Sequence, residues 1–124
     1  MAKVGGTVDI NWSQLSHFEK DLLIGRYVMN FEELVSDEGI IWFKHHYSIG
    51  FWNFSKSENR ALEIVKKLLN DRVSAEINFI STNNYSCSFM SAEHPAVKST
   101  TCAETLQDAI CMSALKHSGI SVIK

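Results

Sequence analysis

The chain has 124 residues, of which 45% are hydrophobic and 21% are charged, so it can bury one core and we expect a single domain. Its 12 basic and 14 acidic side chains give a net charge of −2, which disfavours non-specific nucleic-acid binding. The apolar runs fall well short of the roughly 20 residues of a membrane helix. Three cysteines without CxxC spacing fit a reducing compartment, so we expect a cytoplasmic protein.

The first predicted helix follows a leader that contains little core material. We expect residues 1–10 to be flexible and residues 11–124 to form the domain. Ser16 and Glu19 have the S-x-x-E spacing of a capping box, which predicts a helix over residues 17–29. Its predicted buried face consists of Phe18, Leu22, Leu23, Tyr27 and Val28.

The middle of the chain is predicted to contain a loop, two strands and a helix. Residues 30–39 are acidic and end in glycine, as in a loop, whereas residues 40–54 are rich in β-branched and aromatic side chains. Ser55 and Glu58 form a second capping box before a helix that reaches about residue 71. Its apolar face is Ala61, Ile64, Val65, Leu68 and Leu69.

Alternating apolar and polar residues predict a hairpin with one solvated face over 75–81 and 85–90. Asparagines in its turn tolerate the positive φ of a tight hairpin. Residues 91–101 are predicted to be a loop. Thr101 and Glu104 then suggest a third capping box, before a helix that Gly119 ends.

The element order is α-β-β-α-β-β-α, which predicts an α+β fold. Because hairpins join most of the strands, we expect a short, mostly antiparallel four-stranded sheet. Three amphipathic helices can cover both faces of that sheet, as in an α/β/α sandwich.

The side chains that usually carry chemistry do not form a recognisable motif. His45 and His46 are neighbours on a predicted strand and would point to opposite faces, so they cannot share one metal without outside ligands. We expect no metal, no cofactor and no catalytic residue. The alternative is a small enzyme in which folding brings Cys87, Cys102 or Cys111 to a histidine.

Two features are candidate partner contacts. Glu32, Glu33, Asp37 and Glu38 place four acids within seven residues, either as a solvated loop or as a docking patch for a basic groove. Trp12 has few apolar neighbours in the sequence, so it is either a core residue or an anchor at an interface.

Three segments resemble the phage ABA sandwich domain family. They are NWSQLSHFE at 11–19 with GRYVM at 25–29, FSKSENRALEIV at 54–65, and AETLQDAICMSALKHSG at 103–119. The resemblance implies α/β/α layering and a phage or prophage setting, and it brings no catalytic residues. The family's usual proline in the middle segment is Lys56 here.

The resemblance favours a phage accessory protein that acts by protein binding, most concretely as an inhibitor of a host antiviral system such as a CRISPR effector. One alternative is a replication or recombination accessory that contacts nucleic acid, although the charge balance disfavours it. The other is the cysteine-dependent enzyme. A homodimer is compatible with each, especially if a sheet edge is open.

Overall fold

The computed structural model describes residues 9–30, 33–35, 41–43, 53–93 and 98–123, and for 33–35 and 41–43 it describes the backbone alone. The described part is α+β with three α-helices, in agreement with the predicted class. The elements in chain order are β1 (Asp9–Asn11), a 3-10 turn (Trp12–Gln14), α1 (His17–Leu23), a π-helical segment (Ile24–Val28), β2 (Glu33–Val35), β3 (Ile41–Phe43), α2 (Glu58–Asn70), β4 (Val73–Ser81), β5 (Asn84–Ser91), β6 (Lys98–Ala103), α3 (Leu106–His117) and β7 (Ser121–Ile123).

The strands form three small sheets within the described ranges. β4, β5 and β6 make an antiparallel sheet in that order, β2 pairs with β3 antiparallel, and β1 pairs with β7 parallel. The predicted four-stranded sheet is therefore not confirmed. The difference arises because β1, β2, β6 and β7 lie in segments predicted as leader, loop or tail, and because β1 pairs with β7, which is far away in the chain.

One face of the three-stranded sheet packs against two helices. The register places Cys87 beside Ile77 and Thr101, and this face is buried under α3, which packs on β5 and β6. α2 lies beside α3 and packs on β4. The Ser113 hydroxyl, fully buried in α3, lies 2.8 Å from the Cys87 carbonyl oxygen, to which it donates, and also contacts the Ser99 carbonyl.

The opposite face of this sheet is polar. Glu76 and Asn78 of β4 and Thr100 and Cys102 of β6 are exposed there, whereas Ser86 and Ser88 of the central strand β5 are buried on the same face. The predicted solvated face of the hairpin is therefore seen on β4 and not on β5. The predicted α/β/α layering requires helices on both faces of the sheet. In the part of the chain that the structure describes, helices pack on one face of the three-stranded sheet.

The first helix begins where the sequence predicts. The Ser16 hydroxyl accepts the Glu19 N–H, and the Glu19 carboxylate accepts the Ser16 N–H, so both halves of the capping box form. The helix then widens into the π-helical segment, in which the Met29 N–H donates to the Ile24 carbonyl. The predicted buried face is wrong at Phe18, which is 54% exposed.

The other two helices begin with a single N-cap hydrogen bond at a different residue from the one predicted, and not with a capping box. Ser57, not Ser55, accepts the Arg60 N–H at the start of α2. Thr105, not Thr101, accepts the Asp108 N–H at the start of α3, since Thr101 belongs to β6.

The turns also differ in part from the prediction. Positive φ among non-glycine described residues occurs at Asn30, Asn53 and Arg72, not in the hairpin turn, where the ladder instead shifts register between Phe79 and Ser81. Gly119 follows α3 with φ of +94°, which confirms its predicted role in ending the helix.

Candidate partner-binding surfaces

Trp12 lies in the core. Its side chain is only 3% exposed, and its indole N–H donates to the Asp108 carboxylate at 3.0 Å. The Lys20 ammonium lies 4.8 Å from the centre of the ring. The interface interpretation of Trp12 is therefore unsupported, because a ring enclosed in this way cannot offer its faces to a partner.

The acidic cluster falls mostly outside the described residues. Glu32, Asp37 and Glu38 lie outside them, and Glu33 is described only as the backbone position in β2 opposite Phe43. Its role as a docking patch stays a prediction.

Two of the three thiols are poor candidates for a nucleophile. Burial raises the pKa of Cys87 to about 12, and burial and then the nearby carboxylates of Asp21 and Asp108 raise the pKa of Cys111 well above its ordinary value. Both thiols are therefore protonated at neutral pH, whereas catalysis needs the thiolate. Cys102 is exposed on the polar face of the sheet.

A polar cluster joins α1 to the turn before α2, with Asp21 and Ser55 buried and His17 exposed. The Ser55 N–H donates to the Asp21 carboxylate at 2.9 Å, and the Ser55 hydroxyl lies 2.8 Å from Nδ1 of His17. Burial raises the pKa of Asp21, while the Ser55 hydrogen bonds and then the nearby His17 and Lys56 oppose that rise. Serine stands between histidine and aspartate here, so the carboxylate does not orient the imidazole as in a catalytic triad.

Among the described residues, one concave feature is the β1–α1 groove, an open depression of about 390 Å³. Its lining residues are Asp9, Ile10, Asn11, Gln14, Leu15, Glu19, Leu22 and Leu23. The leucines and Ile10 supply an apolar lining, and Asp9 and Glu19 supply two carboxylates. Hydrogen bonds from the Ser16 backbone and side chain lower the pKa of Glu19, so this group is ionised at neutral pH.

A second exposed apolar feature is the far end of the β4–β5 hairpin. Phe79 is 71% exposed and Ile80 is 57% exposed. Tyr85 packs its ring edge-to-face against Phe79, with 5.7 Å between centroids. This end receives little cover from the helices.

Sequence reasoning missed both surfaces. The groove needs β1, which lies partly in the predicted leader, and it uses leucines that the helical pattern predicts as core. For the hairpin end a signal does exist. Phe79 and Ile80 are adjacent apolar residues in a strand that otherwise alternates, which indicates an irregularity that exposes one of them.

Within the described ranges, histidine, cysteine and acidic side chains do not gather into a group that could hold a metal ion. None of the helices in those ranges is long and apolar enough to cross a bilayer. A family model described as phage ABA sandwich domain matches residues 22–115. No curated protein and no solved structure matches the chain.

Proposed function

Because the chain belongs to the phage ABA sandwich domain family, we propose that it is a phage or prophage accessory protein that works by binding another protein. The observation that carries this proposal is the β1–α1 groove. It combines an apolar lining with carboxylates, and such a combination suits a protein segment more than a nucleic-acid backbone.

The chemistry of the groove defines the partner segment. Leu15, Leu22 and Leu23 would bury an apolar side chain, and the carboxylates of Asp9 and Glu19 would pair with lysine or arginine beside it. The partner is therefore a basic protein surface with an apolar anchor.

A host antiviral effector is the most concrete partner of this kind. CRISPR effectors hold their guide–target duplex in a positively charged channel, which an acidic protein can occupy. The acidic cluster of Glu32, Glu33, Asp37 and Glu38 supplies four further carboxylates that could pair with such a basic surface. In this proposal the protein inhibits the effector by occupying its basic surface.

The groove is tested by affinity capture from host lysate with the wild type and with Asp9→Lys. We expect the basic substitution to remove the captured partner. Glu93→Lys is the matched control, since it makes the same charge change at an exposed residue outside the groove. Equal loss with both variants, or with neither, would overturn the groove as the contact.

The acidic cluster needs its own experiment. Replacing Glu32, Glu33, Asp37 and Glu38 by glutamine should weaken partner binding and make it less sensitive to salt, because charge pairs at an interface rim are screened. Unchanged affinity and salt dependence would remove the cluster from the proposal.

The biological role is tested by plating a phage on matched hosts with and without an active CRISPR system. Expression of the protein should raise plating efficiency only on the CRISPR-positive host. Equal plating with and without the protein on that host would rule out inhibition of that system.

A further inference from the structure

β4 is an edge strand and the longest strand among the described residues. It spans nine residues, pairs with β5 on one side, and stands at the end of the sheet order β4-β5-β6. Among the described residues no strand pairs with its outer edge. An open edge of this kind presents unpaired backbone donors and acceptors to another strand.

This edge is only lightly protected against pairing. β4 contains neither proline nor lysine, and Glu76 is its only charged side chain. The register irregularity after Phe79 affects its far end alone. Residues Val73–Phe79 therefore remain a regular strand that can accept a partner.

Exposed apolar side chains also lie on β4 and on the helix that packs against it. Phe79 and Ile80 belong to β4 itself, and Leu69, which is 53% exposed, belongs to α2, the helix that packs against β4. Apolar area beside an open edge favours a strand that brings side chains of its own.

The β4 sequence complements itself when two copies run antiparallel about a two-fold axis at Ile77. In that register Glu76 of one copy lies opposite Asn78 of the other, so the only charge meets a neutral hydrogen-bonding group. Phe79 lies opposite the small Ala75, on the helix-covered side of the sheet, where α2 flanks the edge. In the dimer the exposed ring of Phe79 is therefore partly buried by the second copy.

The neighbouring registers are worse. An axis at Glu76 would set two carboxylates directly opposite each other, and an axis at Asn78 would set Glu76 opposite the apolar Ile80. We propose that the β4 edge joins two copies of this chain into an antiparallel dimer with one six-stranded sheet, centred on Ile77.

Charge variants at one exposed position test the register. Asn78→Lys places a cation opposite Glu76 of the second copy and should tighten the dimer on the order of five-fold, since two symmetric pairs form. Asn78→Glu places like charges there and should weaken it by a similar factor. The dissociation constants of both variant dimers are measured by sedimentation equilibrium and compared with that of the wild type.

Two results would overturn the proposal. One is a wild type that stays monomeric at high micromolar concentration, and the other is a change of the dissociation constant in the same direction in both variants.

Cysteine cross-linking tests the axis independently of affinity. In a Cys87→Ala, Cys102→Ser background, which removes the thiol paired with residue 77 across β4 and β5 as well as the exposed native thiol, Ile77→Cys should form a disulfide between copies under mild oxidation. Ser74→Cys is the control, because Ser74 lies opposite Ile80 in this register. Cross-linking at residue 74 rather than 77 would contradict an axis at Ile77.

Discussion

At the residue scale the most consequential side chain is Asp21, a carboxylate that is 3% exposed on the buried side of α1. A buried charge is costly unless it is hydrogen-bonded, and the Ser55 N–H provides that bond. The pair connects two elements that are distant in the chain. Asp21 therefore stabilises the entry to α2 although it belongs to α1.

We expect Asp21→Ala to lower the free energy of unfolding by about 1–3 kcal/mol, because it leaves the buried Ser55 N–H without an acceptor. Asp21→Asn retains an acceptor oxygen of the same size and should be much closer to the wild type. Urea denaturation of the three proteins at neutral pH measures this. Equal losses of unfolding free energy in the two variants would show that the negative charge of Asp21, and not its hydrogen bond to Ser55, stabilises the fold.

Asp21 also predicts a pH dependence. Burial raises its pKa above the ordinary value of 3.8, so the folded chain keeps a proton that the unfolded chain has lost. Its contribution to stability is then full below 3.8 and is lost as the pH rises through the raised pKa. The free energy of unfolding of the wild type, minus that of Asp21→Asn, should fall from acidic to neutral pH. A constant or rising difference would contradict a raised pKa.

At the element scale α1 shows why a helical pattern does not by itself fix the buried face. The sequence predicts Phe18 on that face, yet the buried residues of the helix and its π-helical continuation are Asp21, Ile24, Gly25 and Val28. A buried carboxylate is not recognisable as a core residue from its type. The π-helical widening further changes the angle between successive residues.

Two alanine substitutions distinguish the predicted face from the observed one. Ile24→Ala should cost about 2–5 kcal/mol, because it opens a cavity at a fully buried site. Phe18→Ala should change stability by no more than about 0.5 kcal/mol, since the ring is mostly in solvent. Thermal denaturation of both variants measures the two losses of stability. A larger loss in Phe18→Ala than in Ile24→Ala would support the buried face predicted from the sequence.

The two threonines before α3 have different roles. Thr105→Ala should cost about 1 kcal/mol through loss of the helix cap. The hydroxyl of Thr101 is buried and has no hydrogen-bond partner among the described residues, so Thr101→Val should be neutral or stabilising by up to about 1 kcal/mol. Denaturant unfolding of the two variants measures both effects. Destabilisation by Thr101→Val would indicate that this hydroxyl has a partner after all.

At the scale of the whole molecule α3 is the central element. Every residue from Ala109 to Leu115 is buried, because the sheet covers one side of the helix while α2, the π-helical segment and β7 contact it elsewhere. A helix enclosed in this way has little amphipathic pattern, in contrast to α2. The β1–β7 ladder adds a link between residues near the two ends of the chain, Ile10 opposite Val122.

Removing residues 120–124 should therefore lower the melting temperature substantially. The truncation deletes Ile120, which is buried, and all of β7, which leaves β1 without its partner. Ile123→Ser is the control, because it keeps the β7 backbone and changes a side chain that is 56% exposed, and it should change the melting temperature little. A truncated chain with the same melting temperature as the wild type would show that the β1–β7 ladder contributes little to stability.

The sequence by itself determined the α+β class, the three helices, the Ser16 capping box, the β4–β5 hairpin and the family, because these depend on local pattern and spacing. Only the tertiary structure decided the strand partners, the caps of α2 and α3, and the burial of Trp12 and Asp21. The pairing of β1 with β7 and the burial of Asp21 and Trp12 depend on residues far apart in the chain, such as Asp21 with Ser55 and Trp12 with Asp108. The caps of α2 and α3 are local contacts, but which serine or threonine forms each cap depends on where the preceding turn or strand ends. Burial is a property of the surroundings of a residue, and local sequence does not contain those surroundings.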